Sequence, residues 1–569
     1  MASRTRVATT RRRPLSTRRL ELHSSQQNYD VVVVGFGAAG ACAAIAAAEN
    51  GARVLVVDRA LGGGASALSG GIVYAGGGTP YQREAGFDDT PENMFDYLHQ
   101  EVQGVVDDAA LRRFCDGSVE RLAWLERHGA RFDSSLCGYK TSYPTDQHYL
   151  YFSGNEKAHP YNRLAIPAPR GHRQVARGMG SGRALWQALS AAALRLGVTF
   201  LPMTRVDELV TTEGRVHGIR CRTMADDGGR LARRYRRAAA ASAKLSNWTP
   251  PVGHLLNRWA ETAWQRAAQP HTVYANAVIL AAGGFVFNRD MLRRHAPDHV
   301  HVTPLGTQGD DGSGIALGVS AGAGTAHLDH VTAWRFMSPP AALAEGIAVG
   351  INGTRIANED LYGATHAEVM IRRFGGKGFL VVDSRVWKRA RSQLMTQTQL
   401  FQKATMAPAF TLGHHRAPSL VALADKLGVS AAGLTESVQA YNGAIAAGTD
   451  DPMHKSSDLC TPISEPPFYG VDISLKPSAT DFVPGLTLGG LTVDTTSGLV
   501  RTPAGTTVEG LYAAGRTAVG ICSNSYVSGL ALADCVFSGR RAGDHAARPS
   551  RDVSPATLHD QGGVRCQND

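Results

Sequence analysis

No Cys-x-x-Cys pair occurs: the eight cysteines, at 42, 115, 137, 221, 460, 522, 535 and 566, are scattered. That spacing argues against a zinc site, an iron–sulfur site and a disulfide scaffold, and it favours a reducing, cytoplasmic setting. Glycine is abundant, 63 of 569 residues, but has no fixed period, so a fibrous chain is excluded. An internal repeat, a Gly-x-Ser-x-Gly elbow, a Cys–His pair and a phosphate-binding P-loop are all missing. His414-His415 has no third ligand at metal spacing, and no metal is expected. Charged residues are few, 19% against 43% hydrophobic, a globular balance that excludes a mostly disordered chain.

Positive charge is local. The net charge is +10. Residues 1–30 hold seven Arg against Glu21 and Asp30, and residues 229–270 hold eight basic residues against Glu261 alone. The rest is nearly neutral, which is not how a nucleic-acid-binding domain distributes charge. Residues 1–29 read as a disordered basic arm, with a mitochondrial-type transit peptide as the other reading. Residues 549–569 read as a disordered tail. In the second basic segment Arg230, Arg233, Arg234, Arg236 and Arg237 precede Trp248, Trp259 and Trp264. A helix over about 252–268 puts Leu255, Trp259 and Ala263 on one face, with Leu256 beside it. One reading is a solvated loop followed by a packed helix; the other is peripheral contact with a membrane surface.

Residues 31–48 are uncharged and long enough to cross a bilayer. Four consecutive Val followed by Gly-x-Gly-x-x-Gly and a run of Ala read better as strand, turn and helix. Gly35 allows the tight turn, Gly37 lets backbone approach a pyrophosphate, and Gly40 lets the helix pack on the strand. Asp58, 23 residues after Gly35, ends the second strand, where a carboxylate can accept from ribose hydroxyls. This is a dinucleotide site.

The chain reads as strand 31–34, helix 38–50 and strand 53–57, then a helical stretch over 91–128, an aromatic loop at 139–152 and a helix near 181–196. The strand pair 199–211 and 215–222 turns at Glu213-Gly214, and an insertion fills about 226–270 before strand 276–281. Helices are expected at 431–447 and 528–546. The layout is a cofactor domain built from residues 30–331 and 478–548, with a substrate-side domain, 332–477, between them.

The segments Val278–Gly284 and Gly510–Arg516 resemble the later FAD motifs of two-dinucleotide-fold flavoproteins. Thr307-Gln308-Gly309-Asp310-Asp311-Gly312 resembles a turn of the fumarate reductase/succinate dehydrogenase flavoprotein superfamily. The resemblance implies an α/β fold: a Rossmann-like FAD-binding domain (GR2-type flavoprotein) with an inserted α+β capping domain. It also implies FAD contacts from Gly35, Gly37, Ala38, Ala39, Gly40, Asp58, Arg59, Ser66, Ser69, Gly70, Gly71 and Val206. The later contacts it implies are Ala282, Gly283, Gly284, Asp310, Asp311, Ala514, Gly515, Gly529 and Leu530. The loop Gly62–Gly71 lacks the His that attaches FAD covalently in some members, so FAD is expected to be non-covalent.

Asn358-Glu359-Asp360-Leu361-Tyr362-Gly363 has Gly363 where fumarate reductases carry a proton-donating Arg, with Tyr362 beside it. Pro169–Arg173, Gly178–Gly182 and Ser525-Tyr526-Val527-Ser528-Gly529 resemble stretches of the 3-ketosteroid Δ4-(5α)-dehydrogenases. Removing hydrogen α,β to a ketone needs a polarised carbonyl, a proton acceptor and a hydride acceptor. Tyr526 and the Gly529 N–H are suited to the carbonyl oxygen. Tyr362 and Ser528 are suited to the α-proton, provided a neighbouring charge or the flavin lowers a phenol pKa. Tyr362 and Tyr526 as mere aromatic walls is the rival reading. A small hydrophobic ketone or steroid is the expected substrate; a fumarate reductase-like alkene reductase and a non-catalytic flavin-binding membrane-contact protein are the alternatives. Only one dinucleotide fingerprint is present, so the electron acceptor is expected to be a quinone, another small oxidant or a partner protein.

Overall fold

The computed structural model describes residues 29–548, apart from 226–227, 247–248, 336 and 476–482. The basic arm to residue 28, the tail from 549 and Trp248 lie outside these residues. The first strand, Tyr29–Val34, holds its four valines in the core and pairs in parallel with Val54–Val57 on one side and with Ala268–Leu280 on the other. The parallel core continues to Thr507–Ala513 beside Ala268–Leu280, and to Thr199–Leu201 beside Val54–Val57. Valine fits such a doubly covered strand because its branched side chain packs on both faces of the pleat.

Two helices from opposite ends of the chain cover one face. Ala38–Glu49 lies against Leu530–Ala546 through a seam of small side chains. A Cβ on Gly539 would stand 2.4 Å from the Ala39 carbonyl oxygen, and one on Gly543 would stand 2.2 Å from that of Ala43. The last helix begins at Leu530 rather than 528, because Gly529 takes a left-handed conformation, φ +94°. The stretch 91–128 is three helices, Pro91–Val102, Asp108–Asp116 and Ser118–Arg127, broken at Gln103–Asp107 and Gly117.

The expected strand 276–281 is twice as long. Ala268–Leu280 pairs through residues 268–274 with Arg215–Met224 and through 275–280 with the parallel core. Its polar first half hid it. The expected strand 199–211 splits at Pro202-Met203 into Thr199–Leu201, in the parallel sheet, and Thr204–Thr212, in an antiparallel ribbon. The turn to Arg215–Met224 falls at Glu213-Gly214, both with positive φ, as a two-residue hairpin requires.

The insertion is therefore a helical hairpin, Arg230–Leu245 and Pro250–Gln265, ending before residue 268. Its inner face is one position away from the expected one. Ala260, Ala263 and Trp264 are buried with Ala232, Tyr235 and Ala238, whereas Leu255 and Trp259 face solvent. Trp264 anchors the hairpin: its indole N–H donates to the Met203 carbonyl at 2.8 Å, and the Arg205 guanidinium lies 4.0 Å from its ring centre.

A second body carries a four-stranded antiparallel sheet in the order Ile347–Val349, Phe379–Val382, Phe468–Asp472 and His414–Ala417. Apolar clusters lie on both of its faces, packed by Gly363–Phe374 and Ser384–Thr396 on one and by Leu420–Leu427 and Ala431–Ala447 on the other. It joins the cofactor body through Thr303–Pro304, Pro484–Thr487 and Val331–Ala333.

Trp264→Ala should cost about 3–5 kcal/mol of local stability, the scale for emptying a buried aromatic site. Limited proteolysis reads this as faster cleavage within 225–267, with the rest of the chain intact. Trp259→Ala should leave that rate unchanged; equal sensitivity of the two variants would contradict the packing described.

Candidate active site

Four neighbouring parallel strands end on one edge, at Gly35, Asp58, Ala281 and Ala514. In an open α/β sheet the ligand crevice lies outside such carboxyl ends. Gly35 and Gly40 are required by the chain's own packing: a Cβ would stand 2.5 Å from the Ala281 carbonyl oxygen or 1.9 Å from that of Gly35. Gly37 is different. Its φ of −79° suits any residue, and a Cβ there would meet nothing nearer than Ser66 Oγ at 3.5 Å. No neighbour fills this space, at the N-terminus of helix Ala38–Glu49, where the dipole and free N–H groups favour a pyrophosphate. Arg516 supplies a second sign. Its Nη2 bonds Asp310 Oδ1 at 2.5 Å, while its buried Nη1 has no partner among the described residues. Leaving such a donor unpaired costs about 1–3 kcal/mol, and an acceptor-rich dinucleotide along this edge would remove that cost. The cradle fits FAD.

The remaining predicted contacts surround that edge. Ser66 Oγ accepts the Ala38 N–H at 3.0 Å, and Ser69 Oγ accepts that of Gly71. Gly70 lies against the Tyr143 ring, and Gly71 against the Ser181 backbone. The Asp58 carboxylate accepts the N–H groups of Phe36 and Ala60, at 2.8 and 2.7 Å. Arg59 pairs with Asp311 at 2.6 Å. Asp310 is engaged by Arg516 and by the Thr307 N–H, with Gly283 and Gly284 packed beside it. Both aspartates thus pair with arginines along this edge. Ala282 lies against Gly314, Gly515 against Ala39, and the Ala514 N–H donates to Leu280. Leu530 is buried below Gly529. Val206 sits on the ribbon opposite Cys221 and packs on the cluster that holds Val57 and Leu280.

Beyond this edge an apolar cluster brings Trp334, Tyr362, Ala364, Leu486 and Leu488 together with Leu305 and Tyr526. The Tyr526 ring lies 4.7 Å from the Trp334 ring, centre to centre. Ser528 Oγ accepts from the Tyr151 hydroxyl at 2.9 Å, and it lies near Tyr362, whose ionised form it favours. The Tyr362 N–H donates to Asn155 Oδ1 at 2.6 Å. Gly529 must be glycine, since a Cβ would stand 2.7 Å from Ile72 Cγ2 in a left-handed backbone. The Tyr526 hydroxyl and the Gly529 N–H are left without an acceptor among the described residues.

Burial raises the pKa values of Tyr151, Tyr362 and Tyr526 above the ordinary phenol range. Hydrogen bonding to Ser528 offsets this at Tyr151 and Tyr362, and Arg516 offsets it at Tyr526, but neither reverses it. The lowered phenol pKa that the proton-transfer reading called for is absent from the protein's own groups. These hydroxyls stay protonated.

His172 does not reach this cluster. Its ring bonds Thr79 Oγ1 and the Arg170 carbonyl, and burial pushes its pKa down to about 4. It is a structural residue between Arg170, paired with Asp89, and Arg173, whose guanidinium holds Asp146 and four loop carbonyls. Among the described residues no group of His, Cys, Asp and Glu could hold a metal ion.

Tyr151, Asn155, Trp334 and Arg516 escaped the sequence reading. Arg516 directly follows the Ala514-Gly515 turn and was readable there; Tyr151 lies in a loop rich in aromatics, with no spacing to single it out.

Residues 30–529 match the FAD binding domain family. The chain is 38% identical over 497 residues to the 3-oxo-5-alpha-steroid 4-dehydrogenase of Comamonas testosteroni, covering 85% of this chain and 92% of that enzyme. It is 26% identical to the 3-oxosteroid 1-dehydrogenase of Mycobacterium tuberculosis, covering 88% and 94%. The crystal structure of 3-ketosteroid-delta4-(5alpha)-dehydrogenase from Rhodococcus jostii RHA1, in complex with 4-androstene-3,17-dione, superposes with a TM-score of 0.77 at 32% identity. That alignment covers 93% of this chain and 99% of the other.

Purified protein should be yellow and should release all its flavin as FAD on denaturation; flavin left on the precipitated chain would contradict non-covalent binding. Gly37→Val should abolish FAD retention with the fold preserved by circular dichroism, since a Cβ at Gly37 meets nothing nearer than 3.5 Å among the described residues and the larger side chain would fill the space a pyrophosphate needs. Full FAD content in that variant would contradict the placement.

Proposed function

The chain belongs to the FAD binding domain family, and from that premise we propose that it is an FAD-dependent dehydrogenase that introduces a C=C bond α,β to the ketone of a 3-ketosteroid. The observation that carries this reading is the Tyr151–Ser528 hydroxyl pair with Tyr362 near it, beside Tyr526, whose own hydroxyl has no partner among the described residues. Trp334, Leu305, Leu486 and Leu488 give a rigid apolar substrate apolar walls. Similarity to steroid dehydrogenases over nearly the whole chain supports the same substrate class.

In this reading the Tyr526 hydroxyl and the Gly529 N–H donate to the ketone oxygen. They stabilise the negative charge that develops there as the α-proton leaves. Tyr362 accepts the α-proton as its own passes to Ser528, and Ser528 and Tyr151 each give up one proton as they take one, the Tyr151–Ser528 bond reversing, so that the net proton leaves to solvent water as terminal base. A concerted relay suits phenols that burial keeps protonated, because none of them must exist as a free phenolate. Bound FAD supplies the hydride acceptor for the β-hydrogen, held by Gly37, the N-terminus of Ala38–Glu49, Asp58 and Arg516. Residues 332–477 form the substrate cap, and the electron acceptor is a quinone or another small oxidant. Reduction of an α,β-unsaturated carboxylate is disfavoured, because Gly363 offers no side-chain donor beside Tyr362 and the cluster walls are apolar.

The reading extends to peripheral contact with an anionic membrane, where steroids and quinones concentrate. Arg230, Arg233, Arg234 and Arg237 are exposed on the first helix of the hairpin. Val252, Leu255 and Trp259, 46–47% exposed, line one side of the second at i, i+3 and i+7. Among the described residues no helix is long and apolar enough to cross a membrane.

Tyr526→Phe should lower flavin reduction by ketosteroid roughly 10²–10³-fold, the scale of losing one oxyanion donor, with FAD content unchanged. Near-wild-type rates would return Tyr526 to the role of an aromatic wall. Sedimentation with acidic liposomes should be strong at low salt and fade towards physiological ionic strength, where screening acts over about 8 Å. Each exposed Arg should contribute about 1 kcal/mol, and Trp259, not the buried Trp264, should supply the salt-resistant part. Absence of binding at low salt would contradict membrane contact.

A further inference from the structure

Glu101, at the end of helix Pro91–Val102, is fully buried and has no cation beside it among the described residues. Three donors converge on its carboxylate. Tyr97 Oη and Asn155 Nδ2 bond Oε1, each at 2.7 Å, and Ser525 Oγ bonds Oε2 at 2.6 Å. Its main-chain carbonyl accepts Asn524 Nδ2 at 2.7 Å. Tyr97 Oη in turn accepts the Asn155 N–H at 2.9 Å.

Each of these contacts leads to a tyrosine of the site. Ser525 and Asn524 immediately precede Tyr526. Asn155 spends its carbonyl on the Tyr362 N–H, at 2.6 Å, and its amide on Glu101 and on Thr365 Oγ1, at 2.9 Å. Tyr362 and Thr365 open the helix Gly363–Phe374 of the second body, whereas Glu101, Asn155 and Ser525 belong to the first. One carboxylate therefore stands at the joint between the two bodies, linked to the backbone that carries each phenol. A buried carboxylate is costly unless several donors satisfy it, and such a satisfied network fixes one geometry.

We propose that Glu101 is a positioning residue that holds Tyr362 and Tyr526 in register across this joint, through Asn155 on one side and Ser525 on the other. The proposal rests on the reading that these tyrosines serve the dehydrogenation, and its test separates the two. Glu101 touches neither substrate nor cofactor in this scheme; it sets the distance between the hydroxyl relay and the ketone donor. Transfer along such a relay falls steeply when heavy atoms move apart, so a small loss of register lowers the rate without changing the apolar walls that bind substrate.

The test uses FAD-loaded Glu101→Gln, whose amide keeps the shape but presents a donor where the carboxylate accepts. Ser525→Ala, which removes one donor and leaves the carboxylate, serves as the second variant should the first not fold. Hydrogen exchange of the peptide spanning 358–366 reads the Tyr362 amide directly. Glu101→Gln should exchange there roughly tenfold faster than wild type, the scale of one weakened hydrogen bond, with helix Ala431–Ala447 unchanged. The limiting rate of flavin reduction by a 3-ketosteroid should fall roughly tenfold or more, with the half-saturating concentration and FAD content unaltered. Ser525→Ala should speed exchange in 522–528 and lower the same limiting rate. Unchanged exchange at 358–366 and 522–528 would overturn the link itself. Faster exchange with an unchanged limiting rate would overturn the positioning role. If Tyr362→Phe and Tyr526→Phe also reduce flavin at full rate, the assignment of the tyrosines fails, while the exchange data still decide whether Glu101 secures the joint.

Discussion

A Cβ on Gly40 would stand 1.9 Å from the Gly35 carbonyl oxygen, and this approach of helix to strand governs where everything else sits. It presses the N-terminus of Ala38–Glu49 against the edge where four parallel strands end, the place a pyrophosphate would take in such a fold. The last helix repeats the device with Gly539 and Gly543 against the same first helix. Because those contacts bind the two ends of the chain together, the residues just before the last helix, Tyr526, Ser528 and Gly529, are delivered beside the cofactor edge. The second body then needs to supply only Tyr362, carried by the N-terminal end of Gly363–Phe374.

Burial is the second governing condition. It raises the phenol pKa values above their ordinary range. The same low-polarity setting leaves Arg516 with an unpartnered N–H and Glu101 dependent on three donors. Cofactor edge and hydroxyl relay are therefore flanked by charges that cannot move freely. Such preorganisation is where an enzyme gains most of its electrostatic advantage, since no reorganisation is needed when charge develops on the substrate.

Gly35, Gly40 and Gly283 were legible in the sequence because each is a backbone necessity: a side chain there would collide with the chain. Helix Ala431–Ala447 was legible for a comparable local reason, a Ser cap at one end and a left-handed Gly at the other. The first half of Ala268–Leu280 was not, because its alternating polar residues face solvent on a ribbon whose partner lies more than forty residues earlier. Trp264 and Trp259 look alike in sequence; only the packing against Met203 and Arg205 separates the anchor from the exposed ring. Tyr151 and Asn155 remained hidden because their roles arise through contacts with Ser528 and Tyr362, some 377 and 207 residues away.

The claim at the centre is that the α-proton leaves through the Tyr362–Ser528–Tyr151 hydroxyls as the flavin is reduced. Anaerobic stopped-flow reduction by a 3-ketosteroid deuterated at the α-carbon, in wild type and in Ser528→Ala, tests it most directly. The account predicts complete flavin bleaching, slowed by α-deuterium, with a larger isotope effect in Ser528→Ala because proton removal then limits the rate more fully. No bleaching by ketosteroids, together with rapid reoxidation of the reduced protein by an α,β-unsaturated carboxylate, would contradict it.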